Sequence, residues 1–143
     1  MRSISITRCP TGPFCFRPPF EGEDYALLLY VAATDISSEE QTLISRDIIA
    51  SGCRYAVCFG HDCSSWDDAI DWAVIDAGKG GKGFVMTTWH ERDTLEEVLH
   101  FFWHHTSFDN FSAIRMGIFV LGLNPENEEL LERGLNLHNE TNG

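Results

Sequence analysis

A thiol and an imidazole stand at two predicted strand-to-helix junctions, Cys63 in the turn GHDC and His90 in the run WHERD. One chemistry open to them is nucleophilic: Cys63 attacks, His90 serves as its base, and Asp35 or Asp62 orients the imidazole. A second gathers His61, Asp62, His90 and Glu91 as nitrogen and oxygen ligands of a metal. Both require residues from separate parts of the chain to converge, and neither has a diagnostic spacing. The plain alternative is that these are loop and cap residues, with Asp62 neutralising a helix N-terminus. The expectation is of no bound metal and no cofactor.

Convergence depends on the elements that carry these side chains. Residues 84–105, FVMTTWHERDTLEEVLHFFWHH, hold a strand, a polar loop and a helix. Residues 84–89 are an apolar run rich in β-branched and aromatic types, the pattern of a buried strand. Thr94 and Glu97 form a capping box, in which the threonine oxygen and the glutamate carboxylate each satisfy an orphan amide. Earlier, residues 25–34 (YALLLYVAAT) read as a central strand buried on both faces. Ser37 with Glu40 caps a helix through Ala50, ended by Gly52. A strand over 54–59 leads through the GHDC turn to a helix over 66–77, capped by Ser64 or Ser65 and stopped by Gly78. Residues 78–83, GKGGKG, have the glycines of a phosphate loop without its spacing, and read as a flexible linker. Residues 113–121 form a fourth strand. Asn124 then caps an acidic helix with Pro125 at its first position, running to Arg133 and meeting Gly134.

The strands start near residues 25, 54, 84 and 113, and each is followed by a capped helix. Such βα units, joined by right-handed crossovers, predict a small Rossmann-like three-layer α/β sandwich: about four mostly parallel strands with helices on both faces. In a parallel sheet the residues after each strand collect along the carboxyl edge, where such folds place ligands. Here they are Asp35; His61, Asp62 and Cys63; His90, Glu91 and Arg92; and Asn124. The expected organisation is a single α/β domain over 1–143, with a mostly irregular Pro-rich arm at 1–24, which has room for a short extended piece at Ile4 and Ile6, and a frayed tail at 135–143.

The helix over 66–77 turns Trp66, Ile70, Ala73, Val74 and Ala77 inward, leaving Trp72 and Ile75 on the other face among Asp68, Asp71 and Asp76. A half-exposed tryptophan ringed by carboxylates reads as a contact surface for a basic protein, since aromatic anchors and complementary charge are what tight interfaces use. The competing reading covers Trp72 with another element, such as the N-terminal arm. On the next helix Leu95, Val98, Leu99 and Phe102 make the inward stripe. His100 and His104 have a metal-chelating spacing but lie opposite that stripe, so a surface position is expected.

Composition narrows the classes further. At 143 residues, 43% apolar with ten Phe and four Trp, the chain is expected to fold as one globule with a real core. Ten basic against 22 acidic residues give a formal charge of −12, which opposes attachment to nucleic acid or anionic lipid and suits a basic partner. Simple solubility is the competing explanation of that charge. The longest apolar run, 25–33, is too short to span a bilayer, and the first seven residues lack the apolar region of a secretory signal. Five cysteines without paired short spacing read as reduced thiols of a cytoplasmic protein.

The segments GHDCSSWDDAIDWA (60–73) and VMTTWHERDTLEEVLHFF (85–102) resemble an uncharacterised family of small bacterial proteins with the pattern G-x-D-C-x-x-W-D-D followed by M-T-T-W-H-E. The resemblance implies a bacterial, cytosolic α/β domain and carries no catalytic assignment across. In size and acidity the chain also resembles, as a class, immunity proteins of bacterial contact-dependent or polymorphic toxin systems. The leading expectation is an immunity-type binding protein that neutralises a basic toxin, with a nuclease as one candidate, through Asp68, Asp71, Trp72, Ile75 and Asp76. The alternative is a small cytosolic hydrolase or thiol-dependent enzyme working from Cys63 and His90.

Overall fold

The computed structural model describes residues 2–78, 84–108 and 110–142, with 134–142 described in backbone only. Nine elements follow one another: β1 (Ser3–Cys9), β2 (Tyr25–Val31), α1 (Ser38–Ala50), β3 (Cys53–Gly60), α2 (Cys63–Ala77), β4 (Met86–His90), α3 (Leu95–His104), β5 (Arg115–Leu121) and α4 (Pro125–Asn142). All strand pairs are parallel and the sheet order is β1-β5-β2-β3-β4. The α/β sandwich is therefore as expected, with five strands instead of four. The additional strand comes from the Pro-rich arm: residues 3–9 pair along β5 from Ser3↔Arg115 to Cys9↔Leu121.

β2 is central because every one of its side chains is apolar or aromatic and buried, so both of its faces can carry a layer. On one face Leu27, Leu29 and Val31 pack against Ile44 and Ile48 of α1 and Trp66 and Ile70 of α2. On the other, Ala26, Leu28 and Tyr30 pack against Val98, Leu99 and Phe102 of α3 and Leu131 of α4. The rest of the arm lies on the α1–α2 face: Phe16 meets Phe119 edge-on at 4.9 Å between ring centroids. Gly117 permits this approach, since a Cβ there would lie 2.5 Å from Pro19 Cγ.

Both expected capping boxes are formed. The Ser37 hydroxyl accepts from the Glu40 amide while the Glu40 carboxylate accepts from the Ser37 amide, and Thr94 with Glu97 does the same. Two helix bounds differ from expectation. Helix α2 starts at Cys63, with Asp62 as its N-cap, so Ser64 and Ser65 lie inside the first turn instead of capping it. Helix α4 continues past Gly134 to Asn142, into the stretch expected to fray. The glycine-rich linker, from residue 79 to 83, lies outside the described residues.

Consecutive crossovers place α1 and α2 on one face and α3 and α4 on the other. Neighbouring strands that send their chains to opposite faces open a crevice at the carboxyl edge, and among the strands followed directly by helices this happens twice. Between β2 and β5 the crevice is shut by backbone: the Ala32 and Ala33 amides both donate to the Leu121 carbonyl, at 2.8 and 2.9 Å. Between β3 and β4 it is occupied by the start of α2, and there Cys63 and His90 meet.

Candidate functional site

Cys63 is the first residue of α2 and only 2% exposed. Burial pushes its thiol up; hydrogen bonds from the His90, Cys63 and Ser64 amides oppose that, and the nearby Glu91 carboxylate adds to it. The contact with His90 is through the main chain. The imidazole itself is turned to the α3 face: Nδ1 bonds Asp93 Oδ2 at 2.7 Å, Nε2 bonds the Thr88 hydroxyl at 3.1 Å, and the ring packs on Phe101 at 4.7 Å. Alternation along β4 explains this, since His90 follows Met86 and Thr88 onto that face while Cys63 belongs to the α1–α2 core. The proposed pairing of a Cys63 nucleophile with a His90 base is thus not assembled.

The other edge residues are dispersed. His61 and Asp62 are exposed and line a small cavity with Thr34, Gln41 and Ser65. Asp62 stands at the helix N-terminus in the left-handed conformation, φ 57°, where it turns the backbone and its side chain caps no amide. Asp35, Glu91 and Arg92 are exposed on loops. Asn124 points inward, donating with Asn127 to the Tyr30 hydroxyl at 2.7 and 2.5 Å. His61, Asp62, His90 and Glu91 do not appear as a metal-ligating group among the described residues. His100 and His104 are exposed with rings 4.6 Å apart, and burial together with the neighbouring His100 lowers the His104 pKa.

The outer side of α2 is different in kind. Trp72 is 64% and Ile75 63% exposed, so the arm that covers the sheet elsewhere leaves them bare. Asp68, Asp71 and Asp76 surround them. Beside Trp72, a groove between α1 and α2 is lined by Gln41, Arg46, Ser65, Asp68 and Asp76, with Arg46 and Asp76 3.7 Å apart across it. On the other flank the Thr87 hydroxyl of β4 donates to Asp71 at 2.8 Å. Trp89, two residues further on the same side of this edge strand, is 52% exposed.

The sequence model of a domain of unknown function, DUF7684, matches residues 8–135. The chain belongs to the DUF7684 family. The match spans the whole sheet, apart from the first part of β1, and both helices that flank the candidate surface. No curated protein and no solved structure matches this DUF7684 chain. Among its described residues no helix is long and apolar enough to cross a membrane.

Two residues of this DUF7684 surface escape sequence reasoning. Trp89 reads as part of a buried strand, yet the sheet order puts β4 at an open edge. Asp67 reads as one more exposed acid beside Asp68, but it is 5% exposed and its Oδ1 is buried without a hydrogen-bond partner. Burial raises its carboxyl pKa, a Thr87 hydrogen bond opposes this, and Asp71 and Asp68 add to it. A helical wheel holds the clue, since Asp67 is adjacent to the inward Trp66 and one turn from Asp71.

Proposed function

We propose that this DUF7684 protein is a cytoplasmic binding module that docks a basic protein on the outer side of α2, as an immunity protein does when it neutralises a basic toxin. The observation that carries this reading is the pair Trp72 and Ile75, more than 60% exposed on a rigid helix and set among Asp68, Asp71 and Asp76. A tryptophan on a helix loses little freedom on binding and supplies a large apolar anchor. Around it, carboxylates on a chain of formal charge −12 accelerate encounter with a cationic surface and reject acidic competitors. A nuclease is a fitting target, because the surface it uses to hold nucleic acid is itself cationic.

The alternative, a thiol-dependent or hydrolytic enzyme, has the three amides around Cys63 in its favour. Against it stand a thiol shielded from solvent and an imidazole committed to Asp93 and Thr88.

A photo-crosslinking residue placed at position 75 in native bacterial cells tests the binding reading. The expected product is one adduct with a basic polypeptide, whose affinity for the purified chain falls about 30-fold or more with Trp72→Ala and weakens steeply with salt. An affinity indifferent to both Trp72→Ala and salt would sink the proposal, as would the absence of any adduct.

A further inference from the structure

We propose that Asp67, Asp68 and Asp71 form a binding site for one hard divalent cation of the Ca2+ or Mg2+ class, on the β4 side of α2. Each aspartate offers a carboxylate oxygen, and the three oxygens all lie within 4.8 Å of one another. Opposite ligands of Ca2+, at about 2.4 Å each, stand about 4.8 Å apart, and those of Mg2+ about 4.2 Å apart. One ion can therefore touch all three with small side-chain adjustments. The set is oxygen only, which favours a hard cation over zinc or copper.

The buried oxygen of Asp67 is the second, separate observation. Asp67 is 5% exposed, its Oδ1 has no hydrogen-bond partner, and one of its carboxylate oxygens lies within 4.8 Å of an oxygen on each of Asp68 and Asp71. Leaving such an oxygen bare is unfavourable, and a like charge one turn away at Asp71 makes it more so. Among the described residues no arginine pairs with any of the three; Arg46 of α1 pairs with Asp76, further along this helix. A water molecule could bond the bare oxygen but would leave the negative charges in place. A divalent cation answers both needs. Thr87 acts as a positioning residue, its hydroxyl holding Asp71 Oδ1 at 2.8 Å, while exposed Asp68 leaves an open side for entry and for the waters that complete the coordination sphere.

The site needs no docked partner, so its test is separate from that of the binding reading. Tag-free full-length chain, stripped with a chelator, is titrated with CaCl2 and with MgCl2 by calorimetry. The expected result is saturable binding of one ion per chain for at least one of the two salts, with a rise in the thermal midpoint. Asp68→Asn and Asp71→Asn, both near the surface, should each weaken it about tenfold or more, whereas Glu96→Gln on α3 leaves it unchanged. Asp67→Asn should abolish binding and also raise the thermal midpoint of the cation-free protein, which a misfolded variant would not do. No saturable heat with either salt overturns the site. So does weak binding of several ions that is insensitive to the aspartate variants.

Discussion

The Cys63 thiol and the His90 imidazole lie on opposite faces of the sheet, and only the His90 amide reaches the sulfur. A base that cannot touch its nucleophile cannot activate it. His90→Gln should therefore leave the alkylation rate of Cys63 within roughly twofold of the parent. In a thiol count with an aromatic disulfide reagent, exposed Cys15 should react first, while Cys53, Cys58 and Cys63, all buried, wait for unfolding. A tenfold slowing at Cys63 in the histidine variant would restore the dyad.

Trp66 and Trp72 share one helix and differ in what their loss removes. Trp66 is 2% exposed between α2, α1 and the sheet, so Trp66→Ala should cost about 3–5 kcal/mol of stability. Trp72→Ala removes a ring that is 64% exposed and should change stability by no more than about 0.5 kcal/mol. Urea unfolding of the two variants decides it: comparable losses would mean that Trp72 belongs to the core and not to a docking surface.

β2 could be read because a strand with helices on both faces is apolar at every position. Ser37, Glu40, Thr94 and Glu97 could be read because a capping box is local chemistry with fixed spacing. The exposure of Trp72 followed from the 3.6-residue period once Trp66 and Ile70 had set the inward side. β1 was harder: at the sheet edge its residues are only half-buried, and Arg8 is paired outward to Glu128 at 2.7 Å, so Ile4 and Ile6 alone mark an extended piece there. The start of α2 lies earlier than the pattern predicts because serines are favoured caps, whereas Asp62 turns the chain through a left-handed backbone without using its side chain. The convergence of Cys63 with His90 was visible as topology. Which way each side chain faces was set by strand alternation and by the early start of α2 together.

Cap removal tests the local chemistry directly. Thr94→Ala should destabilise the protein by about 1 kcal/mol through α3 alone. Glu40 does more than its counterpart Glu97, because it also accepts the Phe14 amide at 2.8 Å and so ties the arm to α1. The amides of Ser37 and Phe14 hold its carboxyl below the usual carboxylate range. Glu40→Gln should accordingly accelerate amide exchange at Phe14 as well as at Ser37, with hydrogen-exchange mass spectrometry as the readout. Exchange restricted to the first turn of α1 would show that the arm is held by Phe14 and Phe16 packing instead.

Buried acids of high pKa give the protein an alkaline limit. Burial pushes the Cys53 thiol up to about 12 from an ordinary value of 9.0, pushes Cys58 well above it, and raises Tyr25 too. In each case the fold favours the neutral form. Below about pH 9 the folded and unfolded chains both keep these protons, and no stability depends on pH through them. Above it the unfolded chain releases the thiol protons first, so stability declines as pH rises from about 9 towards 12. For Cys53 alone the loss by pH 11 is on the order of 2 kcal/mol. Urea midpoints measured from neutral pH to about pH 11 should fall steeply for the parent. The double variant Cys53→Ala/Cys58→Ala should start lower, from lost packing, but slope less. Equal slopes would move the alkaline sensitivity to Tyr25, whose hydroxyl is bonded to Ser51 at 2.5 Å, and away from the thiols.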